Sequence, residues 1–575
     1  MARFWMSVNK SPRYPAQEPL CKDSVCIRGS IGKHQYVVAC EGVLVRSNQS
    51  DQDCLRQSIN LDGFWSGGRS ESDINIGIDP LGSEIRIHVP LTAVTGMYLH
   101  REPDGLCIAT DPKLLFHRGM QIDERALYSL LQFGVLIPGL TPWREIAQLM
   151  PGSVYAISGD DLRISQWIPK SSSIESVDAT LPPSRQCEEI ATELDRTLRR
   201  LCPDCRPTIL FSGGVDSGLL AARAAAMGWR ETLLVNIQFG LNDTESAHAE
   251  AMARWLGLSY ERVRFSIDQL GEYLSRLGTT YPLPFGDISA YPNYLLAHAV
   301  AEQYGGHKVV LDGSGADGAF GLFGDWRPKA CALPRFIRKM SAMMYKVGRL
   351  WMRTCGVERL EYLYNHTSVD LPGLHASIAI NALCDIAYHV PSMVRSETRE
   401  LLDKWLQDCV PWADGVRRFI VLDLVLACCG MMASKDKPIF DNSRIDVRYP
   451  YLEPNMVRLA VDRAIYWPGA KTPKIALKNL LAQLVPREMV FRPKSAWGVS
   501  AIQTQIVRSP AFLKALDQVS QSTAPLSSVV DHDCIRRLRR CLEQGRPLPS
   551  YTYRFLWLAV FTSLWLDQVL HEGLN

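Results

Sequence analysis

The residues best suited to chemistry lie in a short polar string, Ser-Gly-Gly-Val-Asp-Ser, at positions 212–217. The apolar residues 208–211 before it are typical of a buried strand, and the Ala- and Leu-rich residues 218–227 behind it are typical of a helix. The two glycines allow the backbone to approach an anion, and the helix N-terminus offers unpaired N–H groups and a positive dipole end. Ser212 and Ser217 add hydroxyl donors, and Asp216 supplies a hard oxygen ligand suited to Mg²⁺. The pattern predicts a turn that holds a polyphosphate with its metal.

This string resembles the pyrophosphate loop of ATP pyrophosphatases, enzymes that adenylate a carboxylate or carbonyl oxygen and release pyrophosphate. It is not a Walker A loop, because the Gly-x4-Gly-Lys-Ser/Thr spacing and its lysine are missing. The resemblance implies that Ser212, Gly213, Gly214 and Ser217 bind ATP and that Asp216 binds Mg²⁺. The alternative is an ordinary strand-turn-helix in which the glycines only form a tight turn.

Length and composition restrict the class of protein. At 575 residues the chain is expected to form two or three domains, and 47% hydrophobic with 21% charged residues is ordinary for a globular protein. A formal charge of +3 gives no reason to expect a nucleic-acid partner. No signal peptide is evident, and the longest apolar run, 555–566, is too short to span a bilayer. Sixteen scattered cysteines suit reduced thiols. We therefore expect a cytoplasmic protein without a membrane partner.

One cysteine pair has metal-ligand spacing. Cys202 and Cys205 form the only Cys-x2-Cys in the sequence, and no second pair stands at zinc-finger spacing. A zinc or redox role therefore stays open as an alternative to buried or incidental thiols.

The pattern of secondary structure divides the chain. Residues 1–170 are β-rich, with strand candidates at 37–39, 74–78 and 85–89. Residues 171–186 contain serine and proline clusters typical of a linker. From 187 to 575 the chain alternates helix (190–201), strand (208–211), helix (218–227) and strand (233–237) and is then mostly helical. This alternation predicts an α/β fold with a parallel sheet in the second domain.

The N-terminal part resembles the glutaminase domain of class II amidotransferases, in the version fused to asparagine synthetase. The resemblance rests on residues 106–115, 122–131 and 149–152, and it implies a β-sandwich with helices. Those glutaminases need a cysteine at the mature N-terminus, whose α-amine acts as the base for the thiol. Here the second residue is Ala2 and the first cysteine is Cys21. We therefore expect glutamine hydrolysis to be lost and the domain to serve as a structural relic or a docking surface.

A second glycine-rich turn follows the apolar residues 309–311. Residues 312–321, Asp-Gly-Ser-Gly-Ala-Asp-Gly-Ala-Phe-Gly, resemble the asparagine synthetase motif Ser-Gly-Glu-Gly-Ala-Asp-Glu-x-Phe-Gly. The resemblance implies that Asp317 joins Asp216 as a Mg²⁺ ligand, with Ile237 and Gly313 also in the nucleotide site. Ser314 and Gly318 replace two acids of the motif. The alternative is a glycine-rich surface loop.

Three later segments also match asparagine synthetase motifs: 444–453, 474–478 and 492–499. A lysine is what leaving pyrophosphate and an anionic transition state require. The match to Lys-x-x-Leu-Arg makes Lys474 the catalytic candidate, with a solvated helix lysine as the alternative. Residues 327–353 hold eight Lys/Arg and no acid. They predict a solvated basic helix face or, alternatively, a surface that docks an acidic peptide or protein.

These resemblances imply an ATP- and Mg²⁺-dependent ligase that forms AMP and receives its amine from the substrate itself. Lasso peptide cyclases fit this description best: they adenylate an Asp or Glu side chain of a precursor peptide and join it to the N-terminal amine. A leader-processing protease and a leader-binding protein are then candidate partners. The alternatives are a β-lactam synthetase-like or asparagine synthetase-like ligase acting on a small amino acid, a tRNA-modifying ATP pyrophosphatase, and a non-catalytic scaffold.

Overall fold

The structure is a computed structural model of the chain. It describes residues 3–9, 25–31, 34–41, 44–47, 57–60, 75–79, 84–103, 105–158, 163–167, 183–204, 206–240, 243–303, 309–321, 391–410, 415–462, 474–492, 499–521, 526, 529–548 and 550–572.

The N-terminal part consists of two six-stranded antiparallel sheets, with strand orders β10-β8-β9-β1-β3-β2 and β12-β11-β7-β6-β5-β4. The strands are β1 (Arg3–Asn9), β2 (Val25–Ile31), β3 (His34–Glu41), β4 (Leu44–Ser47), β5 (Gln57–Asn60), β6 (Asn75–Asp79), β7 (Glu84–Val89), β8 (Tyr98–Glu102), β9 (Gly105–Ala109), β10 (Ile146–Gln148), β11 (Ser153–Ser158) and β12 (Arg163–Trp167). In β7 the alternate residues Ile85, Ile87 and Val89 are buried while Arg86 is exposed, so one face of the strand meets the core. The β-rich character that the sequence predicts for this part is therefore confirmed, and the structure shows that its sheets are antiparallel.

The C-terminal part is built on a five-stranded sheet in which every neighbouring pair is parallel, with the order β15-β14-β13-β16-β17. These strands are β13 (Thr208–Leu210), β14 (Leu233–Gln238), β15 (Ser259–Arg264), β16 (Val309–Leu311) and β17 (Asp446–Arg448). The central strands β13 and β16 are buried along their whole length, as expected when helices cover both faces of a parallel sheet. The mixed α/β fold class with a parallel sheet is confirmed.

Helices make up most of the remaining described residues. They are α1 (Glu124–Phe133), α2 (Pro183–Leu201), α3 (Val215–Ala226), α4 (Thr244–Leu256), α5 (Leu270–Ser275), α6 (Leu277–Thr280), α7 (Ala290–Gln303), α8 (Ala316–Phe320), α9 (Ser392–Cys409), α10 (Gly415–Leu422), α11 (Ser434–Asn442), α12 (Pro454–Asp462), α13 (Ile475–Leu481), α14 (Arg487–Val490), α15 (Val499–Val507), α16 (Pro510–Gln521), α17 (His532–Glu543) and α18 (Ser550–Glu572). A π-helix, Asp423–Ala433, joins α10 to α11. In the described part of the chain, no helix is both long and apolar enough to cross a membrane.

Two predicted boundaries differ from the structure. Helix α2 begins at Pro183 rather than at residue 190, so residues 183–186 of the predicted linker form its first turn. Proline suits that place, because the first helical N–H has no partner within the helix. Helix α3 begins at Val215, which places Asp216 and Ser217 in its first turn instead of in the loop. The helix N-terminus therefore lies closer to the predicted phosphate site than the sequence indicates.

The two parts of the molecule pack directly against each other. Thr92 donates a hydrogen bond of 2.6 Å to the Leu452 carbonyl, and the backbone N–H of Gly286 donates one of 2.7 Å to Gly134. The rings of Trp143 and Trp565 lie 5.6 Å apart. Buried hydrogen bonds and aromatic contacts of this kind hold the N-terminal sheets against the helices of the C-terminal part.

Candidate active site

The first glycine-rich loop connects β13 to α3 at the carboxyl edge of the parallel sheet. The Ser212 hydroxyl accepts a hydrogen bond of 3.2 Å from the Gly214 N–H, and the Ser217 hydroxyl accepts one of 3.2 Å from the Ser212 N–H. The two hydroxyl oxygens are 3.3 Å apart. These bonds close the loop upon itself and fix both serines at the N-terminus of α3, where the helix dipole favours an anion.

Gly213 is required by the packing of this loop. Its φ is +67°, in the left-handed region, and a Cβ atom at this position would lie 2.8 Å from the Cα atom of Ala249. Any other residue would therefore be strained and would also push α4 away from the loop. The close approach of the loop to α4 gives a physical reason for this glycine.

The second loop lies directly against the first. The Asp312 carboxylate accepts a hydrogen bond of 2.6 Å from the Ser314 N–H, which folds the turn that precedes α8. A Cβ atom on Gly313 would lie 3.2 Å from both the Cβ atom of Asp216 and the backbone nitrogen of Ser217. The two loops therefore come together at neighbouring strand ends, where ligands of open α/β sheets bind.

Lys474 joins the two loops through its ammonium group. Its Nζ atom lies 2.5 Å from Asp216 Oδ2 and 2.6 Å from Asp317 Oδ1. The Tyr451 hydroxyl also contacts Asp216, because it donates a hydrogen bond of 3.1 Å to the backbone oxygen of that residue. The three residues that the sequence assigns to catalysis and metal binding thus meet at one point.

The Lys474 side chain is buried and remains a cation. Burial lowers its pKa, but the charges of Asp216 and Asp317 outweigh that effect and raise the pKa above its ordinary value. Its backbone has a φ of +56°, one of the non-glycine residues in the left-handed region. Such strain is common where surrounding structure fixes a functional side chain.

Asp216 and Asp317 also have the chemistry that Mg²⁺ requires. Both carboxylates lie within 2.6 Å of the Lys474 ammonium nitrogen, so they are close enough to each other to share one cation. Hard carboxylate oxygens are the ligands that Mg²⁺ takes beside phosphate groups. The residues present therefore fit a magnesium ion, which would be held by these two side chains.

The cleft between the loops contains the other residues assigned to the nucleotide. Ile237, at the end of β14, lies in its wall together with Ser212, Ser217 and Gly313. The amide of Asn236 donates a hydrogen bond of 2.7 Å to the Phe211 carbonyl and so braces the wall. The sequence-predicted site residues other than Lys474 therefore belong to this cleft or to the loop that borders it, and Lys474 contacts two of them.

The structure adds residues that the sequence did not single out. Asn293, Lys435 and Asp436 also line the cleft. Asp436 is completely buried, and Asn293 donates a hydrogen bond to one of its oxygens. Burial raises the pKa of Asp436 to about 8, against the opposing charge of Lys435. The charged Lys-Asp-Lys triplet in an otherwise apolar stretch was the available sequence signal.

Gly318 stands where the asparagine synthetase motif has an acidic residue, and the structure shows that little space is left for a side chain there. A Cβ atom on Gly318 would lie 3.0 Å from Asp423 Oδ2 and 3.0 Å from the sulfur of Cys428. Asp423 is only 2% exposed. The carboxylate of Asp423 therefore occupies the space into which an acidic side chain at position 318 would extend.

Some predicted features lie outside the described residues. These are the basic segment 327–353, residues 493–498 of the third later motif, and Cys205 of the cysteine pair. Cys202 is buried, and within the described ranges no group of three or more potential metal ligands of the His, Cys, Asp or Glu type is clustered. A zinc or redox role of the cysteine pair stays a prediction, because Cys205 lies outside the described residues.

Comparison with protein families gives a match to the family described as asparagine synthase, over residues 189–567. Comparison with curated proteins gives no match. The matched range contains both glycine-rich loops, Lys474 and every strand of the parallel sheet. Members of this family are ATP-dependent amide-bond ligases. The chain therefore belongs to the asparagine synthase family.

Proposed function

We propose that this protein is an AMP-forming macrocyclase of the lasso peptide type. It adenylates an Asp or Glu side-chain carboxylate of a precursor peptide and joins that carbon to the peptide's own N-terminal amine, releasing pyrophosphate and then AMP. The observation that carries the adenylation step is the convergence of Lys474 on Asp216 and Asp317, beside the Ser-Gly-Gly loop. The macrocyclase assignment rests on two sequence features, the residue Ala2 where a glutaminase has its cysteine and the basic segment 327–353.

Each residue of the site has a separate role in binding the nucleotide, holding the metal or stabilising the leaving group. The Ser212 and Ser217 hydroxyls and the N-terminus of α3 bind phosphate groups of the nucleotide. Asp216 and Asp317 hold Mg²⁺, which supplies charge neutralisation when it is bound. The substrate carboxylate attacks the α-phosphorus in line, and Lys474 stabilises the negative charge that develops on the pyrophosphate. The amine then attacks the acyl carbon, and AMP leaves.

The sequence gives no sign that glutamine supplies the amine, and this favours a substrate that carries both the carboxylate and the amine. The residue before β1 is Ala2, and no cysteine stands between Met1 and Leu20, so the thiol that glutamine hydrolysis needs has no counterpart there. An amine on the substrate itself removes the need for ammonia. The basic, aromatic-rich segment 327–353 directly after α8 in the sequence favours a peptide over a free amino acid.

A second candidate is a ligase that acts on a small amino acid, like a β-lactam synthetase or an asparagine synthetase. The observation that favours it is the size of the cavity beside the nucleotide cleft, about 310 Å³ among the described residues. This volume stands at the lower end of ligand pockets, which span roughly 300–1,000 Å³. A peptide substrate would place only its reacting residue there.

The test is a cyclisation assay with purified protein, ATP and Mg²⁺. Its substrates are peptides with a free N-terminus and a single Asp or Glu at several ring distances, with and without a co-expressed leader-processing protease and leader-binding protein. A product lighter by one water, formed together with AMP, is the expected result. Cyclisation of a small β-amino acid with no peptide product would replace the proposal by the second candidate. The Asp216→Ala variant is the negative control.

A further inference from the structure

A cavity of about 310 Å³ lies next to the nucleotide cleft. Five helices form its walls, together with the loop before α7: the start of α7, the end of the π-helix, the start of α11, α15 and α18. The cleft and the cavity share two lining residues, Met432 and Lys435. A molecule seated in the cavity would therefore reach the nucleotide past these two side chains.

Most of the cavity wall is apolar. Ile288, Met431 and Ile502 are buried and supply aliphatic or thioether surface. The two methionines come from the π-helix, a geometry that is rare and is frequent at functional sites. Such a wall favours the aliphatic part of a ligand over water.

One buried polar atom in this wall requires a donor. Gln503 is 1% exposed, and its Oε1 atom has no hydrogen-bond partner among the described residues. A buried amide oxygen without a hydrogen bond is unfavourable, and a ligand N–H group would remove that penalty. The position of Gln503 in the cavity wall therefore points to a ligand that presents an N–H group.

The charges around the cavity favour a ligand with an acidic end. Lys435 lies at the junction with the cleft, where its ammonium donates to Asp287 at 3.0 Å and to the Ser289 hydroxyl at 2.8 Å. Asp287 therefore balances Lys435, and the guanidinium of Arg554 adds a further cation to the wall. Burial lowers the pKa of Arg554, and the charge of Asp287 opposes that effect. The charged residues lining the cavity are thus two cations and one anion, a balance that favours an anionic or carbonyl oxygen on the ligand.

We propose that this cavity binds the acyl substrate, as an amino-acid unit whose backbone N–H donates to Gln503 and whose reacting carboxylate passes Lys435 towards the nucleotide. This inference rests on the proposed function, because it assigns the second half of the same adenylation reaction. The aliphatic stem of the unit lies against Ile502 and Met431. The volume of about 310 Å³ admits one or two residues and leaves the rest of a peptide outside.

Nucleotide analogues with different acyl groups test this assignment without turnover. 5′-O-Sulfamoyladenosine carries no acyl group and reports on the nucleotide cleft alone. A second probe carries N-acetylglutamate N-methylamide joined to the sulfamate through its side-chain carbonyl. A third carries an alkyl isostere of the same length in which the backbone N–H is replaced by CH₂. Dissociation constants are measured by calorimetry for the full-length chain.

Two variants alter the cavity and leave the cleft unchanged. Gln503→Met keeps the side-chain length and removes the acceptor, and Ile502→Trp fills the space. Gln505→Met, at an exposed position of the same helix, is the matched control. Melting temperatures and sulfamoyladenosine binding establish that each variant is folded.

We expect the glutamyl probe to bind the wild-type protein at least 10-fold more tightly than sulfamoyladenosine. Gln503→Met should lose about 3- to 10-fold for the glutamyl probe and nothing for the alkyl isostere, as expected for one hydrogen bond. Ile502→Trp should abolish the gain for both acyl probes. An acyl gain that survives in both variants would overturn the cavity assignment. If the wild-type protein fails to bind sulfamoyladenosine, the adenylation site itself is wrong and the proposed function falls with it.

Discussion

Replacing Lys474 by methionine tests the chemistry of the site most directly. Methionine keeps the aliphatic length of the side chain and removes the ammonium group that contacts Asp216 and Asp317 at 2.5 and 2.6 Å. Two unit charges about 4 Å apart interact by about 4 kcal/mol at an effective dielectric constant of about 20. If Lys474 acts on the leaving pyrophosphate over such a distance, its loss should lower kcat about 1,000-fold, since about 1.4 kcal/mol is a tenfold change in rate.

The same substitution should have a much smaller effect on the fold. The Asp317 side chain is 58% exposed, so water screens its pair with Lys474 and that pair contributes little to stability. Asp216 is 21% exposed and its pair is worth more. We therefore expect a melting temperature within about 5 °C of wild type, because about 1 kcal/mol shifts it by a few degrees. Added Mg²⁺ should restore part of the lost melting temperature, because it supplies a cation to Asp216 and Asp317 in place of the Lys474 ammonium.

The assay is pyrophosphate release under single-turnover conditions, with nucleotide binding measured separately. Lys478→Met, one turn further along α13, is the matched control and should stay within a few-fold of wild type. Lys474→Arg should also be slow, because a guanidinium is too large for the space between the two carboxylates. A loss of less than about 10-fold in Lys474→Met, with normal nucleotide binding, would refute the role of the ammonium group.

Three further substitutions give distinct outcomes. Asp216→Ala should abolish pyrophosphate release while the circular dichroism spectrum stays native. Full activity of this variant would refute the assignment of Asp216 to the active site. Gly213→Ala should lower the melting temperature more than Gly228→Ala, because both have positive φ but only Gly213 meets Ala249; equal losses would show that the close contact is unimportant. Asp436 has a pKa of about 8 in the fold and about 3.9 in the unfolded chain. Between these two pH values the native state binds one proton more than the unfolded state. The free energy of unfolding should therefore fall as the pH rises from about 4 to about 8. Urea unfolding of Asp436→Asn at pH 5 and pH 8 should show a weaker fall than wild type, and an identical pH dependence would exclude Asp436 as its source.

The sequence predicts those parts of the site that are contiguous in the chain. The strand, glycines and helix around Asp216 are local, so their spacing alone indicates the loop and its chemistry. Lys474 required the resemblance to a family, because nothing in the helical pattern distinguishes it from a solvated lysine. The Lys-Asp-Lys triplet draws attention to Asp436, but nothing in the sequence marks Gln503, whose importance comes from being buried with an amide oxygen that has no partner among the described residues. That property depends on tertiary packing and leaves no periodic signal.

The nucleotide cleft and the adjacent cavity differ in charge. The residues at the junction between them reduce the repulsion that an entering carboxylate would meet. The nucleotide cleft collects anions, so a substrate carboxylate entering from the cavity would meet repulsion from phosphate groups and from Asp216 and Asp317. At the junction, Lys435 is a cation held by Asp287, and burial raises the pKa of Asp436 so that it keeps its proton near neutral pH. A protonated Asp436 adds no negative charge on the path of the carboxylate and offers a hydrogen-bond donor instead. The burial that penalises ionised Asp436 thereby makes the approach of the two anionic substrates less unfavourable.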